Sequence, residues 1–290
     1  MRHTSTAYVL ALIVALIGCK SDVDTNMVTP TPGNPSGGAG MPTGKVYLFM
    51  PEDLVATDSA AQVTARYTDP TKRYAHGILG DPIEAGGLFV TRKGKSYHYK
   101  LDEAYVFEDL RPRLADVDND GELEFITIQT SLTMGASVAI YKIKDEKLQP
   151  YTASPFIGRP SRWLNIAAIS DLDEDGKIEI AWVQTPHIGG ILRIARVQNG
   201  ALDLVDEVSG VSNHRIGSRN LCLSVLTTSA EGKTLYLPTN QYDKIRGFQL
   251  IQNRIQLVDS VVLAVDANRP LADQHNFLSP LPDRNCIFVK

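Results

Sequence analysis

Histidine and cysteine are scarce in this sequence, and its basic residues never gather into a run. The six histidines form no His-x-x-His or Glu-x-x-His pair, so the usual helical zinc signatures have no foothold. There is no Gly-x-Ser-x-Gly elbow and no glycine loop able to cradle phosphate, which removes the simplest hydrolase and nucleotide-binding readings. No basic stretch interleaved with aromatics occurs either, so a nucleic-acid partner is not expected. Only one long apolar run exists, and it lies at the N-terminus.

That run, AYVLALIVALIG (7 to 18), follows Arg2 and His3 and has the length of a signal h-region rather than of a membrane span. It ends in Leu16-Ile17-Gly18-Cys19, which resembles the bacterial lipobox. The resemblance implies cleavage before Cys19 and a diacylglycerol on its sulfur. Lys20 follows instead of Asp, so the inner-membrane retention signal of enteric bacteria is missing and the outer membrane or cell surface is favoured. Residues 20 to 44 are rich in Pro, Gly, Thr and Ser and nearly free of large apolar side chains. Such a segment cannot bury enough surface to offset its ordering entropy and reads as a tether. The expected organisation is a signal peptide (1–18), a lipidated cysteine with tether (19–44) and a folded domain (45–290). With Cys19 acylated, Cys222 and Cys286 remain in compartments where disulfides persist. Both stand in apolar strand contexts, so two buried thiols and one bridge are both compatible readings.

The formal net charge of −4 conceals a concentration of acid. Ten of the 33 acidic residues fall in LADVDNDGELEF (114 to 125) and ISDLDEDGKIEI (169 to 180); the remaining 23 face 29 basic residues. Acidity confined in this way suggests a bound cation rather than a charged partner.

The two stretches belong to a repeat. Asp116, Asp118, Asp120, Gly121, Glu124, Gln129 and Thr130 recur 55 residues later as Asp171, Asp173, Asp175, Gly176, Glu179, Gln184 and Thr185. A decayed third copy keeps Gly232 but carries Thr227, Ser229 and Glu231 where the acids stood. Each copy reads as strand, tight turn, strand (ELEFITIQT, KIEIAWVQT), followed by ASVAIYKI, GILRIARV or KIRGFQLI and a weaker fourth strand. Alternating β-branched and aromatic residues support strands. Residues 86 to 101 look like the second half of an earlier unit, and 276 to 290 like the first half of a last one. The pattern predicts an all-β chain, a β-propeller of four-stranded antiparallel blades. Four blades are expected, the two half-units forming a composite N/C-terminal blade; a fifth is allowed if 45 to 77 stands alone.

In D-x-D-x-D-G three carboxylates lie on one side of a turn that glycine lets reverse sharply. Calcium, a hard cation seeking six to eight oxygens, could draw on Asp116, Asp118 and Asp120, the Glu122 carbonyl and Glu124. The second set is Asp171, Asp173, Asp175, the Lys177 carbonyl and Glu179. Thr127 and Trp182 occupy the twelfth positions, so the bidentate glutamate of an EF-hand is missing. Two calcium ions, not three, are expected.

On these residues the repeats resemble the FG-GAP or VCBS type, also seen in the propeller of integrin α subunits. There, D-x-D-x-D-G loops bind calcium between the strands of a blade. The resemblance covers roughly 75 to 290 and carries over to Asp116, Asp118, Asp120, Glu124, Asp171, Asp173, Asp175 and Glu179. The Phe-Gly signature is missing, and Gly135-Ala136-Ser137 only approximates Gly-Ala-Pro. The stretch HGILGDPIEAGG (76 to 87), with His76, Asp81 and Glu84, is more simply a polar inter-strand connection than a catalytic constellation. The reading that results is a calcium-stabilised binding or scaffold module for protein or glycan, anchored to the bacterial envelope. A polysaccharide lyase or hydrolase and an envelope assembly component are the alternatives.

Overall fold

The computed structural model describes residues 47–51 and 54–262. The signal segment, Cys19, the tether, Cys286 and the half-unit at 276–290 lie outside the described residues. Among the described residues every regular element is a strand and every ladder is antiparallel; no helix is long and apolar enough to cross a membrane.

The strands form four consecutive meanders. The first comprises β1 (Ala56–Asp58), β2 (Val63–Thr71), β3 (Glu84–Arg92) and β4 (Lys95–Lys100), each paired with the next. The second opens with β5 (Tyr105–Phe107) and β6 (Arg113–Ala115), which lie one after the other along β7 (Glu124–Ser131). It continues through β8 (Gly135–Lys144) and β9 (Lys147–Ala153). A single pair, Ala85 with Phe107, joins these two meanders into one nine-stranded sheet. The third is β10 (Leu164–Ser170), β11 (Glu179–Gln184), β12 (Ile191–Gln198) and β13 (Ala201–Ser209). The fourth is β14 (Val225–Ser229), β15 (Gly232–Pro238), β16 (Lys244–Ile251) and β17 (Arg254–Val262).

Two expectations are corrected here. Residues 86 to 101 do not lack their first half: β1 and β2, from the stretch 45 to 77, supply it. That stretch therefore completes the first meander and forms no unit of its own, and a composite with the C-terminus is not needed to complete β3 and β4. The third-copy turn also differs from the acidic ones. Ser229 pairs directly with Gly232, so the connection is a two-residue hairpin, whereas 116–123 and 171–178 are long loops. Gly232 is kept, with φ of 106°, but the loop around it is not.

The interior explains why strand periodicity is partly hidden in the sequence. On β7 and β8, Ile126, Ile128, Val138 and Ile140 face one core while Phe125, Ala139 and Tyr141 face another. On β11, Ile180 and Trp182 point to the first of these cores, and Ala181 and Val183 to a third, shared with Leu235, Leu237 and Phe248. The middle sheets are buried on both faces, so their strands read as nearly continuous apolar runs. Each large side chain so buried contributes about 1.5–3 kcal/mol relative to exposure. The burial falls outward: β10 is buried at every residue and β17 is mostly exposed. Cys222, between β13 and β14, is disulfide-bonded.

Candidate functional site

The acidic loops occupy equivalent places, 116–123 between β6 and β7 and 171–178 between β10 and β11. Asp116 and Asp171 organise them from within. The Asp116 carboxylate accepts the backbone N–H groups of Asp120 (3.1 Å) and Gly121 (2.9 Å). Asp171 accepts those of Asp175 and Gly176, both at 3.0 Å. Gly121 and Gly176 share a φ of 86°, a conformation that side-chain-bearing residues rarely adopt, so the glycine of the motif is a backbone requirement. At the far end, Glu124 and Glu179 reach back to accept the N–H of Val117 (3.0 Å) and Leu172 (2.7 Å).

One oxygen from each of Asp116, Asp118 and Glu124 lies within 4.8 Å of the others, and the same holds for Asp171, Asp173 and Glu179. These are the first, third and ninth positions of each motif. Asp120 and Asp175, the fifth positions, stand outside the tight groups. Their outer oxygens are taken by Lys142 (2.9 Å) and Arg196 (3.0 Å). The Glu122 side chain turns away to Arg92 at 2.7 Å, and Lys177 approaches Asp175 at 3.5 Å, so at the seventh position only the carbonyl is a candidate ligand.

Lys142 and Arg196 are the residues that sequence reasoning missed. Lys142, on β8, lies 2.8 Å from Asp118 and 3.5 Å from Glu124. Arg196, on β12, is 2.8 Å from Asp173 and 2.9 Å from Glu179 and has a side chain only 5% exposed. The available signal was a cation at the same place within the apolar stretches IYKI and IARV of the third strand; each of these strands carries one further cation. Burial disfavours the charge on Lys142, yet its bonds to Asp118 and Asp120 outweigh this and hold its pKa above the usual lysine range. Burial likewise opposes Arg196, and Asp173 and Glu179 overcome it.

These built-in cations leave each cluster acidic. Carboxylates outnumber cations in each: Asp116, Asp118, Asp120 and Glu124 against Lys142, and Asp171, Asp173, Asp175 and Glu179 against Arg196 and the more exposed Lys177. Glu124 and Glu179 are fully buried. Among the described residues, Oε1 of Glu124 has only Lys142, at 3.5 Å, and Oε1 of Glu179 meets Arg196 Nε at 2.9 Å as an ion pair without hydrogen-bond alignment. Oδ1 of Asp173 accepts no hydrogen bond. Burial, reinforced by the neighbouring aspartates, pushes both glutamates up to about 7. Buried carboxylate oxygens crowded together and short of well-aligned donors are hard ligands that a divalent cation would satisfy. The donor set therefore fits a metal ion in each loop. The loops also touch: Asn119 donates to the Gly176 carbonyl at 3.0 Å, and Lys233 of β15 to the Asp171 carbonyl at 2.7 Å.

A second site lies elsewhere in the fold. Of His76, Asp81 and Glu84, close in sequence, Asp81 and Glu84 line one cavity and His76 is not in its lining. His76 bonds to Glu108 at 2.6 Å, and Asp81 pairs with Arg219 at 2.6 Å. Glu84, 2% exposed, lines a cavity of about 340 Å³ with an Oε1 that has no hydrogen-bond partner. Burial, then the charges of Glu108, Asp81 and Asp109, push its pKa up to about 9. The folded value exceeds the ordinary 4.5, so the associated stability is complete below that value and is lost as pH rises through about 9. Glu84→Gln is expected to flatten the decline in stability between pH ~5 and ~9, removing a slope of at most about 1.4 kcal/mol per pH unit. Urea unfolding across that range checks it; an unchanged slope would mean that Glu84 ionises normally in the fold.

Neither a family model nor a curated protein matches the sequence. Two solved structures are similar in part. The periplasmic gluconolactonase of Pseudomonas aeruginosa aligns at 16% identity with a TM-score of 0.41, over 72% of this chain and 53% of that one. A rhamnogalacturonan lyase of Bacillus licheniformis aligns at 12% identity with a TM-score of 0.37, over 77% and 52%. The chain spans about half the length of each.

Proposed function

We propose that this chain is a calcium-stabilised β-propeller of FG-GAP or VCBS type, acting as a binding or scaffold module for protein or glycan. The four meanders are its blades. Supporting this are their antiparallel meander order, four strands in each except the second, where β5 and β6 share one edge of β7, and the sharing of cores between successive sheets. The observation that carries the metal reading is the duplicated carboxylate set at motif positions one, three and nine, each including a fully buried glutamate. In each loop the ligands would be Asp116, Asp118 and Glu124, or Asp171, Asp173 and Glu179, completed by the carbonyls of Glu122 and Lys177. Bound there, calcium supplies charge and cross-links, not chemistry. Two divalent ions would also offset the formal charge of −4. Calorimetric titration of the purified protein with calcium should count two sites; zero sites or one defeats the proposal.

Binding is favoured over polysaccharide cleavage by the state of the acids around Glu84. An acid–base pair needs a second carboxylate free to act beside it. Asp109 is held by Tyr67 at 2.8 Å and by Arg113, and Asp81 is paired with Arg219.

The lipobox-like end places the module on the envelope, on the outer membrane or cell surface, through an acyl chain on Cys19. Cys19→Ala is expected to move the protein from the membrane to the soluble fraction and to abolish lipid labelling; labelling that persists refutes the anchor. We also assign Cys286 as the partner of Cys222, the pairing left once Cys19 is acylated.

A further inference from the structure

We propose that the Glu84 cavity is a binding site for a small organic ammonium ion, whose head group meets Glu84 and whose carbon stem lies along the apolar wall. The inference is independent of the metal reading.

The cavity forms where the connection 77–84 meets the segment around Gly217. Gly217 donates its N–H to the Ile78 carbonyl at 2.9 Å. The approach is so close that a Cβ on Gly80 would stand 2.7 Å from the Gly217 oxygen. Met50, Leu79, Ile83 and Leu110 supply apolar walls, and the Asp81–Arg219 pair stands at the solvent-exposed end. Within, Glu84 has a buried oxygen that no protein group satisfies, a condition that costs about 1–3 kcal/mol. A ligand that satisfies it recovers that cost.

The charge of the surroundings selects the ligand. Glu108, Asp81 and Asp109 act on Glu84 with negative charge, opposed by Arg219. An ammonium group, drawn by the same field, would stabilise the Glu84 carboxylate against the burial that otherwise keeps it protonated. Binding thus ionises Glu84 and forms a charge-assisted hydrogen bond, which Glu84→Gln cannot reproduce. An anion would meet repulsion. A bare metal ion would find Glu84 alone available, since Asp81 is paired with Arg219 and Asp109 with Tyr67 and Arg113, instead of the several oxygens it requires. A neutral hydroxyl could satisfy the hydrogen bond but would gain nothing from the field, and it is the competitor that the experiment must separate.

The probes are n-butylammonium and 1-butanol, which share a stem and differ in head group. Each is titrated into methyl-labelled protein, and the methyl resonances of Leu79, Ile83 and Leu110 are followed. Amine taken up by the acidic loops would instead move Val117 and Leu172, so the two locations are told apart. Saturable shifts with the amine are expected, with 1-butanol weaker by roughly tenfold, the value of one charge-assisted hydrogen bond. Glu84→Gln, which preserves volume, should weaken the amine by a similar factor and leave the alcohol unchanged. The proposal is overturned by absence of cavity shifts at millimolar amine, by equal or tighter binding of the alcohol, or by undiminished amine affinity in the variant. Should Glu84→Gln fail to fold, the amine–alcohol comparison on the unaltered protein decides alone.

Discussion

Replacing Arg196 by methionine is expected to cost about 3–5 kcal/mol in a chelating buffer, the usual penalty for leaving buried charge without its partner. The guanidinium bridges Asp173, Asp175 and Glu179 at 2.8, 3.0 and 2.9 Å from inside the fold. Methionine keeps much of the stem's packing and removes the charge, so the loss reports electrostatics. Against an ordinary margin of about 5–15 kcal/mol the effect is large. Calcium should return most of it, because the ion then faces four carboxylates without an internal competitor. Chemical unfolding with chelator and with calcium measures both quantities. A loss below about 1 kcal/mol in chelator, or one that calcium leaves unaltered, contradicts this view of the loop.

The second large effect is that of calcium on the unaltered protein. An ion that binds only the folded state stabilises it by roughly 3–4 kcal/mol at a hundred to a thousand times its dissociation constant. For a chain of this size that is a rise in melting temperature on the order of 10 °C. Specificity is tested with Asp118→Ala and Asp173→Ala combined. Each residue belongs to a tight oxygen group and also contacts the internal cation, so the double variant should melt lower and no longer respond to chelation. A protein whose melting temperature ignores chelator from the outset, or a variant that still responds to it, disproves the assignment.

Much of this architecture could be read from the residues. ELEFITIQT and ASVAIYKI announced β7 and β8 nearly to their ends, because β-branched alternation survives even when both faces are buried. The acidic loops announced themselves by repetition. The first meander did not, for a local reason: β2 contains Asp69-Pro70, with Asp69 at φ of 57°, a turn signal inside a strand. β1, of three residues, is too short to show a period. Lys142 and Arg196 escaped because nothing in IYKI or IARV says which loop the side chain will meet. That depends on β8 and β12 running beside β7 and β11, a fact of pairing and not of pattern. Glu84 lay in a stretch read as a mere connection, since its isolation arises from the packing of 77–84 against a segment far along the chain.

The sharing of each middle sheet between two cores bears on how such a protein can evolve. A duplicated unit can be inserted only if its two faces fit each other, since each copy's rear meets the next copy's front. Here the faces have diverged. The third meander offers Ile180, Trp182 and Ala195 to its predecessor, and Ala167, Ala168, Ala181, Val183, Leu192 and Ile194 to its successor, whose Phe248 packs in the same core. A fresh copy inserted beside it would bring together faces of different composition and leave voids or overpacking between them. Faces matched to particular neighbours make the order of the units hard to change, so that loops and cavities tolerate alteration better than the addition of another unit.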